Sequence, residues 1–213
     1  MKNVFGMAAV VAIAGTASAD VIITGIMDGP LSGGTPKAIE LYVDGTVDFA
    51  GYSFLRSSNG GSWGTTTDIS SLGTVTDSFV YLVGSGSSVS SFQNVFGTSG
   101  DFANMFVSGN VSLNGNDGFQ IVNASSVVID QVWEQNDTNS HQDSYMYRVD
   151  GTGADGANWI AANWMIPGNN TLDNLDEAGI AAAVPFGTYQ VPSPGAMSLL
   201  GLGGLLVSKR RRA

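Results

Sequence analysis

The chain has 213 residues, with 18 Asp+Glu against 8 Lys+Arg, one His, no Cys, 29 Gly and only 12% charged residues. This length is enough to bury a core in a single domain, and the Gly-rich, charge-poor composition suits short strands and tight turns rather than a helical bundle. The missing Cys excludes disulfide scaffolds, Cys-ligated zinc and a thiol nucleophile; one His excludes the two-His zinc protease motif; a net charge of −10 excludes nucleic acid held through a basic patch.

From the N-terminus, Lys2, the apolar stretch 4–15 and the small-residue site Ala17-Ser18-Ala19 read as a secretory signal peptide over 1–19. Signal peptidase is then a partner, and Asp20 the new N-terminus. The alternative is an uncleaved anchor, for which the stretch is short.

The body that follows holds runs rich in β-branched and aromatic residues at 21–27, 38–43, 52–56, 78–83, 105–107, 118–122, 126–132, 144–149 and 158–164. In the second run Ile39, Leu41 and Val43 point one way, and Glu40 and Tyr42 the other. Asn114-Gly115 and Asp117-Gly118 are turn dipeptides, and 123–125 reads as a hairpin connection. Helical spacing appears at 88–96, and Thr171 is placed to cap a helix over 172–183. Many short strands between turn signals predict an all-β sandwich.

The body resembles the lamin-tail domain. The resemblance is carried by Ile22-Ile23-Thr24-Gly25-Ile26-Met27, then Ala38-Ile39-Glu40-Leu41-Tyr42, the turn and strand from Val47 to Phe54, Leu113-Asn114-Gly115-Asn116-Asp117, the strand from Val127 to Val132, and Tyr147-Arg148. It spans most of 21–165. It implies an immunoglobulin-like β-sandwich without catalytic residues, of a kind that stands alone in bacterial envelope proteins or accompanies secreted hydrolases and nucleases.

At the C-terminus Val191-Pro192-Ser193-Pro194 precedes a 13-residue apolar run, 195–207, and the cluster Lys209-Arg210-Arg211-Arg212. As a helix the run spans about 20 Å against a hydrocarbon core of about 30 Å, and the cations would stay cytoplasmic. This tail is similar to the PEP-CTERM sorting signal, with Ser193 where that family has Glu. The resemblance implies an exosortase-like processing enzyme as partner; the alternative is a simple membrane tail that is never cleaved. The division expected is a signal peptide at 1–19, a sandwich domain at 20–166, a linker with a short helix at 167–190 and a sorting tail with a short apolar helix at 191–213.

Matches to chemical motifs are weak. Gly60-Gly61-Ser62-Trp63-Gly64 fits G-x-S-x-G, but its flanks read as loop rather than strand–turn–helix. Gly151 to Gly156 fits G-x-G-x-x-G without a clear following helix. His141 lies among small polar residues and reads as a solvated loop histidine. Weak calcium binding is a candidate at Asn114, Asn116 and Asp117, at Asp150 and Asp155, or at Asp173, Asp176 and Glu177, none with the calcium-loop spacing; no other cofactor is expected. Of the four Trp, Trp133, Trp159 and Trp164 read as core, and Trp63, in a Gly/Ser loop, as the exposed one and the candidate ligand contact.

Together these readings predict a non-catalytic exported protein, tethered to the inner membrane at least transiently, then displayed at the cell surface or in extracellular matrix for adhesion or structure. The alternatives are an extracellular polysaccharide-binding module and, last, a secreted hydrolase or nuclease accessory. All 18 acids lie between 20 and 191, where Lys37, Arg56 and Arg148 are the only Lys or Arg, so the body carries −15. That charge suits a soluble surface domain and opposes nucleic acid as partner.

Overall fold

The computed structural model of the protein describes residues 20–132 and 140–191. The expected cleavage-site residues Ala17 and Ala19, Trp133, and the tail residues Pro192, Ser193, Pro194, Lys209, Arg210, Arg211 and Arg212 with their apolar run lie outside the described residues. No helix among the described residues is long and apolar enough to cross a membrane.

The described chain is mainly β, in two sheets that form a sandwich-like arrangement. The elements run β1 (Asp20–Leu31), β2 (Thr35–Asp48), β3 (Ser53–Ser57), β4 (Trp63–Asp68), β5 (Thr74–Gly84), α1 (Ser87–Phe96), β6 (Met105–Ser108), β7 (Gly118–Val122), β8 (Val128–Val132), β9 (Ser144–Arg148), β10 (Trp164–Met165) and α2 (Glu177–Ala183). A six-stranded sheet has the order β10-β9-β1-β2-β5-β6, and a four-stranded sheet the order β4-β3-β7-β8. All pairings are antiparallel except β5–β6, which is parallel.

Side-chain alternation sorts these strands into two cores. Ile39, Leu41 and Val43 of β2 face the space between the sheets with Phe54, Phe119 and Ile121. The opposite face of the six-stranded sheet carries Ile22, Phe79, Tyr81 and Tyr147 under Phe92 of α1, Ile180 of α2 and Phe186. Because both faces are covered, β1 reads as an almost continuous apolar run. A bulge between Ile23 and Gly25 shifts its parity, so Val21 and Ile23 face inward before it and Ile26 after it.

Several elements differ from the sequence reading. The strand expected at 158–164 is reduced to Trp164–Met165, because the residues before it form a loop with a 3-10 turn at Ala161–Asn163. Strand β4 was hidden by its composition: its Gly and Thr residues are mostly exposed at a sheet edge and show no apolar period. Helix α2 begins after Asp176, whose carboxylate accepts from Gly179 N–H at 2.8 Å. Thr171 does not cap it; its hydroxyl donates to the Gly168 carbonyl, and Asn174 at φ 62° interrupts the helix expected from 172.

The segment 167–190, read as a linker, lies against the outer face of the six-stranded sheet, with Leu172, Ile180, Val184, Phe186 and Tyr189 buried there. Gly25 makes room for it. A Cβ at Gly25 would stand 2.6 Å from Phe186 Cε1 and 3.0 Å from Tyr147 Cδ2. Gly25→Ala is therefore expected to cost about 1–3 kcal/mol by overpacking. The measurement is a lower urea midpoint at unchanged m-value; an unmoved midpoint would mean that Phe186 yields without cost.

Candidate functional site

The two outer faces of the sandwich are unequal. Both described helices and the strap 184–191 lie on the six-stranded sheet. The four-stranded sheet turns Phe54, Phe119, Ile121 and Val132 inward, so Ser53, Leu55, Gln120 and Val122 point outward. Cross-strand rows set the pattern of that face: Thr66, Leu55, Gln120 and Gln131 form one, and Asp68, Ser53, Val122 and Val128 the next.

A groove of about 370 Å³ opens over these rows, with Leu55, Thr66, Gln120, Val122 and Val128 among its lining. Its rim is the 123–126 turn beside Gly51. Gly51 has φ +76°, and a Cβ there would come within 2.8 Å of Ala124 Cβ, so the two turns close against each other. On the groove side, Gln120 Nε2 donates to Gln131 Oε1 at 2.7 Å. The pair is 6% and 5% exposed; Gln120 lines the groove, and Gln131, which does not, holds its amide plane and leaves Gln120 Oε1 as an acceptor. Trp63 opens β4 opposite Ser57; it is half-buried rather than exposed and is not part of the groove lining.

Several charged groups among the described residues are engaged in the scaffold. Arg148, 1% exposed, crosses from β9 to β8, where its Nη2 stands 2.6 Å from Asp130 Oδ2. Nε donates to the Ile23 carbonyl at 2.7 Å, and Nη1 to the Gly153 carbonyl at 2.8 Å and to Asp155 Oδ2 at 3.1 Å. The guanidinium also lies 4.7 Å from the Trp164 ring centroid. Asp130 receives Ile23 N–H and Asp155 N–H in addition. Burial pushes its carboxyl up to about 6, against the pull of Arg148 and the backbone donors. The G-x-G-x-x-G match at 151–156 therefore belongs to a loop that wraps a guanidinium.

At the end of the sandwich that carries the β1–β2 turn, Ser144, Asp28 and Lys37 form one cross-strand row. Lys37 Nζ pairs with Asp28 Oδ1 at 2.5 Å and donates to the Leu113 carbonyl. His141 is 1% exposed, so the expectation of a solvated loop histidine fails. Burial first, and then the Lys37 cation, push its imidazole down to about 3, so it is neutral at pH 7. Arg56 donates to the Ser112 carbonyl at 3.1 Å.

Most of the calcium candidates have structural uses of their own. Asp117 accepts from Asn59 N–H, Asp150 from Gln190 N–H, and Asp155 from Asn163 and Arg148. Asp176 caps α2, and Glu177 accepts from Asn94. Among the described residues no three His, Asp or Glu gather as a metal site. The G-x-S-x-G match lies in the β3–β4 connection and runs straight into a strand, without the helix that a nucleophile elbow needs.

Sequence reasoning missed the groove, although one signal was present. Gln120 lies between Phe119 and Ile121, so a polar residue alternates with core residues on a strand whose outer face must then be polar. No protein-family model matches the chain, and no curated protein matches it.

Proposed function

We propose that the chain is an exported, non-catalytic envelope protein of the lamin-tail type, an immunoglobulin-like sandwich displayed at the cell surface or in extracellular matrix for adhesion or structure. The observation that carries this reading is the inequality of the two outer faces. One is closed by α1, α2 and the strap, and the other keeps an open groove. The strap ends at Val191, half-buried against the outer core, where the motif resembling a sorting signal begins. A tail leaving from the closed side would leave the grooved side free to meet a partner. The body charge of −15 suits a hydrated, self-repelling domain.

Mass spectrometry of the native protein after cell fractionation tests the proposal. An N-terminus at Asp20 in the surface or matrix fraction is expected, and a full-length cytoplasmic protein would overturn it. The orientation has its own test, because the chain has no Cys. Thr66→Cys, on exposed β4, should react with a membrane-impermeant maleimide on intact cells.

A further inference from the structure

We infer that the groove on the four-stranded sheet binds an uncharged polysaccharide strand, a conclusion that rests on the reading of this face as the one displayed. The groove lies on the face of the sheet, where main-chain N–H and C=O groups are already spent in the β3–β4, β3–β7 and β7–β8 ladders. A peptide adding as a strand would need an edge, so it is not the ligand this geometry fits. What the groove offers is side-chain chemistry. Gln120 lines the groove with its amide plane held by the hydrogen bond from its Nε2 to Gln131, which leaves Oε1 as an acceptor. Hydroxyls of Thr66 and Ser53 stand on the same face.

A sugar hydroxyl both donates and accepts, so the hydroxyls of one ring can meet the Gln120 acceptor and the Thr66 and Ser53 hydroxyls. Leu55, Val122 and Val128 supply the apolar floor on which the C–H face of a sugar ring can rest. The volume of about 370 Å³ falls in the range of small-ligand sites, roughly 300–1,000 Å³. Charge selects among polymers. No Lys, Arg, Asp or Glu is among the lining residues, exposed Asp68 stands in the adjoining row, and the body is strongly anionic. A uronic-acid or sulfated polymer would be repelled, and a neutral one would not.

The test is affinity electrophoresis of the full chain, purified from its host, in gels containing hydroxyethylcellulose, dextran or a β-1,3-glucan, with alginate as the anionic comparison. At least one neutral polymer should retard the wild-type protein, with little dependence on salt. Thr66→Arg, at an exposed position that should not affect folding, should weaken the retardation at least tenfold, and Gln120→Ala should do the same with its fold checked by circular dichroism. The inference is overturned by no retardation in any neutral polymer, by equal retardation of Thr66→Arg, or by preference for alginate. It is also overturned if the protein runs as a dimer that Thr66→Arg dissociates, since the face would then belong to a second copy. Maleimide labelling of Thr66→Cys separates the two levels: labelling without glycan binding removes the ligand and keeps the displayed face, whereas loss of labelling removes both.

Discussion

Arg148→Ala is expected to destabilise the protein by about 3–5 kcal/mol, the range for breaking a buried ion pair by removing one partner. In a domain of this size that corresponds to a melting temperature lower by roughly 6–20 °C. The loss is large because the guanidinium satisfies four acceptors at once, on β1, on β8 and in the 153–155 loop. Without it the Asp130 carboxylate stays between the sheets with no cation. That fixes the pH signature of the variant. An uncompensated buried carboxylate takes up a proton more readily, so the deficit should be larger at pH 8 than at pH 5. Asp155→Asn should cost less, since Asp155 shares its carboxylate with Asn163 and Asp130 remains paired. Urea unfolding at both pH values measures these differences. A deficit below about 1 kcal/mol at pH 8, as for a solvated surface pair, would show that the network does not join the sheets.

The same residues show what can be read from the sequence and what cannot. Strands β1, β2, β5, β7 and β9 announce themselves through β-branched and aromatic runs, because burial of their faces demands those side chains. Strand β4 does not, because an exposed edge strand of Gly and Thr has no apolar face to display. Asp130 and Arg148 each interrupt an apolar run, which is the one-dimensional trace of a buried charge. Their pairing with each other and with Ile23 spans sequence separations of 18 and 125 residues, beyond the reach of periodicity. The segment 167–190 reads as a linker with a short helix because nothing in its own sequence names the surface that covers it; Phe186 finds its place through Gly25, and it and Tyr189 pack on the outer face of a sheet formed far earlier in the chain. The groove was half legible. The outward position of Gln120 follows from strand alternation, but its partnership with Gln131 needs the β7–β8 register.

Glu40 was legible as pointing away from Ile39 and Leu41, but not as buried. Its carboxylate is fully enclosed, accepting from Thr24 Oγ1 at 2.6 Å and from Gly187 N–H at 2.5 Å. The Tyr81 and Tyr147 hydroxyls also face it. Burial outweighs these donors and pushes Glu40 up from 4.5 to about 7. The folded chain therefore holds more protons than the unfolded chain between those values, and stability falls as pH rises through the window. The shift corresponds to about 3 kcal/mol, lost in full above about pH 8. His141 works in the opposite sense: pushed down to about 3, it costs stability as pH falls below about 6.5, where the unfolded chain takes up its proton. Glu40→Gln isolates the first effect, since a neutral amide can still accept from Gly187 and the His141 contribution cancels in the comparison. Relative to the variant, the wild type should lose about 3 kcal/mol between pH 4.5 and pH 8; a difference that stays constant across that range would show that Glu40 titrates alike in the folded and the unfolded chain.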